Sequence, residues 1–374
     1  MSGALPPGAV IGIVGGGQLG RMSAMAAARL GYKVHVLSPE AASPAAQVAA
    51  FETVAAYDDG AALRTFAAAV DVITFEFENV PASLYENLPV PVRPGPNILA
   101  IAQDRIAEKT FLNQAGIATA PWAAVTSLDE LTDAAATLGL PAVLKTTRLG
   151  YDGKGQAMLR TQADLAPAFA ALEPKPLILE GFVDFACELS VMVARATDGT
   201  VVTFDAVENR HKHHILDLTL APAPVQPELR HQAAEIAARI ATQLDLVGII
   251  GVELFLDAHN RLIANEIAPR PHNSGHWTLD ACAHSQFDLH IRAVAGLPLP
   301  PTTRHSDAVM KNLVGPEDMD LWPHILATPS LIPHHYGKTE ARPGRKMAHV
   351  TTLFPKHALP GDTGIAHALG PSGK

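Results

Sequence analysis

Glu253 and Glu266 lie in two apolar runs, 252–257 and 261–267, that read as the arms of a β-hairpin. With a four-residue loop, Ala258 to Arg261, the two carboxylates fall directly opposite each other and project from one face of the sheet. Like charges placed so are destabilising unless something neutralises them. A hard cation does this, and Asn265 beside Glu266 offers one more oxygen. Oxygen-only ligation by few carboxylates plus substrate phosphates suits Mg²⁺. A solvent-facing pair, or a register that separates the two, is the alternative.

Upstream, Lys145 ends the apolar stretch 142–145, and the loop Gly150-Tyr151-Asp152-Gly153-Lys154-Gly155-Gln156 follows. Its glycines let a backbone fold over phosphates while two lysines supply charge, although the pattern is not a Walker A loop. A hairpin with a solvated lysine would look the same. Glu180 and Glu188 flank a turn between apolar strands, where a carboxylate can hold a ribose or simply face water. His211, Lys212, His213 and His214 could bind a transition metal, but a solvated loop is the preferred account. Downstream of the hairpin, Asn265-Glu266-Ile267-Ala268-Pro269-Arg270-Pro271-His272-Asn273-Ser274-Gly275-His276 is dense in donors and reads as a site rather than a linker. Near the start, Gly15, Gly17 and Gly20 satisfy a dinucleotide fingerprint. The residue after the next strand is Ser38, not an acid, which argues against a nicotinamide ribose clamp. Another ligand, or plain turn geometry, stays open there.

These groups need a scaffold. Apolar runs at 9–14, 33–37 and 70–77 alternate with helical segments, predicting a parallel sheet with covering helices. Pro89, Pro91, Pro94 and Pro96 then punctuate the chain. A helix over 104–114, several strands and an amphipathic helix over 229–244 follow, an α+β pattern. Pro298, Pro300 and Pro301 mark a last boundary. The expected units are 1–102, 103–297 and 298–374. The 374 residues carry a formal net charge of −9, which argues against nucleic-acid and membrane-surface partners. Two isolated cysteines, Cys187 and Cys282, fit a reducing compartment, and no apolar stretch is long enough to span a bilayer. A cytoplasmic enzyme is expected.

The order of lysine, glycine-rich flap, carboxylate pair and polar loop resembles the ATP-grasp superfamily. Gly15-Gly-Gly-Gln-Leu-Gly-Arg21, the 150–156 loop, Asn265-Glu-Ile-Ala-Pro-Arg270, His272-Asn-Ser-Gly-His-Trp277 and Arg342-Pro-Gly-Arg-Lys346 narrow the resemblance. They are similar to the branch of 5-(carboxyamino)imidazole ribonucleotide synthetases, from about residue 9 to residue 350. The implied fold is α/β and α+β: an N-terminal Rossmann-like parallel-sheet domain, a central ATP-grasp domain and a small C-terminal domain. The resemblance implies that Arg105, Lys145, the loop Gly150, Tyr151, Asp152, Gly153, Lys154, Gly155 and Gln156, then Glu180, Gly181, Phe182, Val183, Glu188, His211, Asn265 and Glu266 bind ATP. Glu253 and Glu266 would carry Mg²⁺, with Mn²⁺ as substitute. Gln18, Glu76, Asp152, His272, Asn273, Ser274, Lys338 and Arg345 would meet the ribonucleotide. Two departures from the pattern are Ala348, where glycine is usual, and a Pro- and Gly-rich C-terminal stretch in place of a longer closing helix.

The implied activity is ATP-dependent carboxylation of aminoimidazole ribonucleotide with bicarbonate through carboxyphosphate, by a homodimer. Arg270 and His272 are the candidates for the carboxyl-transfer pocket, His272 as proton acceptor, with Lys154 and Asp152 as further catalytic candidates on the flap. The alternatives are a formate-using ribonucleotide transformylase, a nicotinamide-dependent oxidoreductase built on Gly15 to Gly20, or a non-catalytic nucleotide sensor.

Overall fold

The computed structural model describes residues 3–149, 155–172 and 176–369, and three sheets form among them. The first joins β1 (Val10–Val14), β2 (Lys33–Ser38), β3 (Phe51–Val54) and β4 (Val72–Phe75) in the order β3-β2-β1-β4, all parallel. Continuous apolar runs with both faces covered give such strands. Ile11, Ile13, Val34 and Val36 pack on Leu19, Met22 and Ala26 of the helix Gln18–Arg29. Val14, Leu37 and Ile73 pack on Leu63 and Phe66 of the helix Gly60–Ala67. β4 stops short of the expected 77, because Glu76 turns its side chain onto the glycine loop.

The second sheet is antiparallel, with β5 (Trp122–Val125), β6 (Ala142–Thr146), β7 (Gln156–Leu159) and β8 (Leu177–Gly181) in the order β5-β8-β6-β7. The third holds β9 (Phe185–Arg195), β10 (Val201–Thr203), β11 (Val207–Lys212), β12 (Ile215–Ala221), β13 (Gly248–Asp257), β14 (Leu262–Ala268), β15 (Asp307–Val314), β16 (Ile332–His335) and β17 (Lys346–Phe354). Its path runs β14-β13-β9-β11-β12-β15-β17-β16, with β10 beside β9. β12 pairs with β15 in antiparallel register, so hydrogen bonding crosses the proline cluster at 298–301.

One helix couples the first and third sheets. In Gln286–Val294, capped by a Ser285–Asp288 box, Phe287, Ile291 and Val294 face the core under β1, while Leu289 joins Met192 and Ile249 of the third sheet. His290 also bonds Thr74 of β4 through Nε2 (3.1 Å). Burying both faces of one helix fixes where β4 ends relative to β14. That brings Glu76 and Glu266 into one region of the molecule.

Candidate active site

The hairpin β13–β14 aligns Glu253 with Glu266, the pairing expected, but by a different route. Leu256 pairs with Leu262, so the loop spans 257–261, one residue longer than predicted. Asp257 makes that loop, accepting from the backbone N–H of His259 and Arg261 (2.9 Å each) and from Arg261 Nε (2.7 Å). A register shift between Glu253 and Leu254 leaves Asn265 unpaired as a bulge and restores the alignment. Bulges recur beside active sites because they re-aim a side chain. Burial, then the neighbouring Glu266 and Glu188, push the Glu253 carboxyl well above its ordinary range, against the pull of Lys346 and Arg270. Two carboxylates in mutual repulsion beside a bulged asparagine fit a hard divalent cation.

These carboxylates lie in a cleft of about 900 Å³ that Arg105, Lys145, Gln156, Glu180, Gly181, Phe182, Val183, Glu188, His211, Asn265, Arg270, His272 and Asn273 also line. Lys145 Nζ bonds the Glu180 carboxylate at 3.0 Å, and the buried Lys109 lies 3.7 Å from the same oxygen. Burial alone would raise Glu180, but Lys109 and Lys145 outweigh it and hold the carboxylate below its usual range. His211 Nδ1 meets Glu188 at 3.0 Å. Leu149, Met158, Phe182 and Phe185 leave apolar surface exposed along the same cleft, a surface that a planar base would cover. Gly155 adopts a left-handed φ of 69° and accepts from the Thr146 N–H. Gly150, Tyr151, Asp152, Gly153 and Lys154 lie outside the described residues.

The glycine loop is already filled. Glu76 accepts from the N–H of Gly17 (2.6 Å) and of Gly20 (3.3 Å), at the N-terminus of the helix that Gln18 opens. A Cβ at Gly17 would come within 2.8 Å of the Glu76 carboxylate, so the glycine permits this close approach. The pyrophosphate position of a dinucleotide site is thus taken by the protein's own carboxylate. Lys338 is pushed down to about 8 by burial and then by Arg345, with Glu76 opposing, so Lys338, Arg345 and Glu76 share one neighbourhood. Its Nζ donates to the Lys346 carbonyl (2.6 Å) and stands over the Tyr336 ring. Arg345 donates to the Glu340 carbonyl (3.0 Å).

Arg270 stands between the two ends. Its Nη2 bonds Glu78 at 2.7 Å, and its charge also acts on Glu76 and Glu266. His272 follows: its Nδ1 faces the Ser274 hydroxyl (2.9 Å) and the Ser274 N–H (3.4 Å), and its Nε2 lies 3.3 Å from Glu253. A backbone N–H can only donate, so Nδ1 accepts and the proton resides on Nε2. Burial, then Arg270 and Lys346, keep the imidazole neutral, well below its usual range. In the resting protein His272 is therefore a donor towards Glu253. Ser274 lies directly behind this ring. It is buried, bonded to Ser190 (2.7 Å), and supports His272 from behind.

Sequence reasoning missed Glu78, Glu108, Lys109 and Lys346. Glu108 accepts from the Ile267 N–H (2.6 Å), with its pKa raised to about 8 chiefly by burial, and Lys109 donates to the Asn265 carbonyl (2.7 Å). Arg105, Glu108 and Lys109 share one face of the helix Arg105–Gln114. That spacing is the signal that could have found them.

Comparisons with known proteins agree with this geometry. Family models match as the ribonucleotide synthetase preATP-grasp domain over 9–103, the ATP-grasp domain over 110–287, and the phosphoribosylaminoimidazole carboxylase C-terminal domain over 308–359. The N5-carboxyaminoimidazole ribonucleotide synthase of Brucella melitensis is 52% identical over 356 residues, 94% of this chain and 98% of that protein. The chain belongs to the N5-carboxyaminoimidazole ribonucleotide synthase family. A Staphylococcus aureus family member crystallised with ADP superposes with a TM-score of 0.93 at 38% identity, covering 99% of this chain and 98% of that one. One from Aspergillus clavatus, solved with ADP and 5-aminoimidazole ribonucleotide, gives 0.91 at 31%, covering 98% of each chain. Against the pattern of this synthase family, Ala348 is fully buried in β17, opposite Leu313 and His335. The Pro- and Gly-rich C-terminal stretch does form a helix, Asp362–Leu369, with Ile365 buried. No helix among the described residues is long and apolar enough to cross a membrane.

Proposed function

We propose that the chain carboxylates 5-aminoimidazole ribonucleotide with bicarbonate and ATP, yielding N5-carboxyaminoimidazole ribonucleotide, ADP and phosphate for purine biosynthesis. The observation that carries this reading is Arg270, a guanidinium whose charge reaches both Glu266 at the nucleotide end and Glu76 at the other. Mg²⁺, or Mn²⁺ in its place, held by Glu253, Glu266 and Asn265, would neutralise charge on the triphosphate. Lys145 exchanges part of its pairing with Glu180 for phosphate, the apolar rim covers adenine, and Glu188 with His211 takes the ribose. Arg105, Gln156, Gly181 and Val183 complete the nucleotide contacts. A bicarbonate oxygen attacks the γ-phosphorus, and ADP leaves. Arg270 then holds the carboxyphosphate anion where the exocyclic amine can reach its carbonyl carbon. Phosphate departs with the proton that the nitrogen loses. Glu76, Gln18, Lys338 and Arg345 anchor the ribonucleotide, while Asn273 lines the passage between the ends. The flap residues Gly150 to Gln156, with Asp152 and Lys154, exclude water from carboxyphosphate.

The same reading divides the chain at 102 and 297 and puts the enzyme in the cytoplasm. It also makes the protein a homodimer, for which the half-exposed Phe51 and Val54 on the edge strand β3 are the support. Sedimentation analysis tests that last point. The activity is tested by ADP release with and without bicarbonate and aminoimidazole ribonucleotide. Full turnover is expected only with both, and formate should not replace bicarbonate. Formate-dependent turnover, or NADH binding without ATP turnover, would overturn the reading.

A further inference from the structure

Strands β11 and β12 are joined by two residues only, His213 and His214, whose φ values are 52° and 64°. Lys212 and Ile215 pair across this turn. A two-residue turn with both centres left-handed is the kind that favours Asn-Gly, because a Cβ in that region crowds the following carbonyl. Two histidines in succession are therefore a strained choice. Strain of this kind persists where something else requires the residue. Packing does not require it, since both side chains are exposed. Internal bonding does not either: neither imidazole makes a hydrogen bond or ion pair among the described residues. What the two share is position. Both line the 900 Å³ cleft, together with Glu188, His211, Leu216 and Phe255.

We propose that His213 and His214 are nucleotide-contacting residues, whose ring N–H groups donate to the anionic oxygens of a nucleoside di- or triphosphate in this cleft. The tip of the hairpin keeps an unfavourable backbone so that two imidazole rings, rather than an amide and a glycine, face the ligand beside the Glu188–His211 pair. A histidine ring offers such an N–H donor in either tautomer. The inference rests on the reading of the cleft as the ATP site and adds residues that reading does not need.

The test compares wild type with two double variants, using Mg²⁺-ADP as the probe. His213→Asn with His214→Gly relaxes the turn and removes both rings. Its apo Tm should rise by about 2 °C, while its ADP affinity falls about five- to tenfold. His213→Ala with His214→Ala keeps the strain and should lose similar affinity with no gain in Tm. The KM for aminoimidazole ribonucleotide should move less than twofold in both. An Asn-Gly variant that binds ADP within about twofold of wild type overturns the proposal, as does one with no gain in Tm. Wild type that binds no ADP removes the nucleotide reading of the cleft itself, and a wild type that binds ADP while the variants match it removes only this inference.

Discussion

The glycine loop at 15–20 and the hairpin β13–β14 both prepare charge for a ligand, and they differ in how that charge is balanced beforehand. At the loop, the amides of Gly17 and Gly20 and the positive end of a helix already hold the Glu76 carboxylate. At the hairpin, Glu253 and Glu266 face each other, and burial with mutual repulsion pushes Glu253 up. The loop's carboxylate is met by backbone amides, whereas the hairpin's two carboxylates repel each other. A motif that would conventionally grip a phosphate has become a mount for a carboxylate, while an ordinary-looking hairpin carries the repelling pair. The largest expected effect follows from that difference. Glu266→Gln removes one of two repelling charges, so the protein should stay folded, with an apo Tm equal to or above wild type. Turnover should fall by most of its value, read as ADP release at moderate Mg²⁺. Near-normal turnover would take the pair out of the mechanism.

How much of this the sequence disclosed differs between the same two regions. The facing glutamates were legible because alternation fixes which side chains share a face. The loop length was not, since Asp257 builds a longer turn through three contacts that no propensity encodes. The Asn265 bulge compensates by one residue, so the correct pairing was reached through a wrong count. At the glycine loop the spacing was plain and its occupant was not. Glu76 is far away in sequence and arrives only because β4 lies beside β1. Ser274 adds a contact of the same kind, since the Ser190 hydroxyl that bonds it is also far away in sequence.

The end proposed to hold the ribonucleotide sharpens the comparison, because its positive charge is local to an acidic chain. Arg345→Ala should cost a charge-assisted contact of about 1.5–3 kcal/mol, roughly ten- to a hundredfold in ribonucleotide affinity. The ATP saturation curve should stay in place; if it moves and the ribonucleotide curve does not, the two ends have been assigned the wrong way round. Lys338 gives the pH signature. Its folded value, near 8, lies below the unfolded one, so the native state binds fewer protons between about pH 8 and 10.4. Its burden on stability is therefore full below pH 8 and fades as pH rises through that window. Function runs the other way, since only the ammonium anchors an anion. The kcat/KM for the ribonucleotide should fall above pH 8, by up to about tenfold per unit, while that for ATP does not. Lys338→Arg should flatten the fall, because a guanidinium does not titrate there.

The smallest effect concerns what holds the repelling pair in place. Behind the hairpin a line of neutral groups runs from Thr219 Oγ1 to Asn209 Oδ1 (3.1 Å), and from Asn209 Nδ2 to Ser190 Oγ (2.9 Å). It continues to Ser274 Oγ (2.7 Å), His272 Nδ1 (2.9 Å) and, from Nε2, to Glu253 (3.3 Å). Each group can donate to the next, so the line has one direction and ends with a proton aimed at a carboxylate of the pair. Thr219, Asn209, Ser190 and Ser274 are all buried. Ser190→Ala cuts the line at its middle and leaves the Asn209 amide unmet, which should cost about 1–3 kcal/mol of stability. The Ser274 N–H still fixes the tautomer of His272, so the ring loses alignment rather than its proton. That separates positioning from folding. A loss of alignment should lower kcat about two- to fivefold with both KM values unchanged. If kcat stays at the wild-type value while only Tm falls, the line is packing, and His272 needs no support beyond its own backbone.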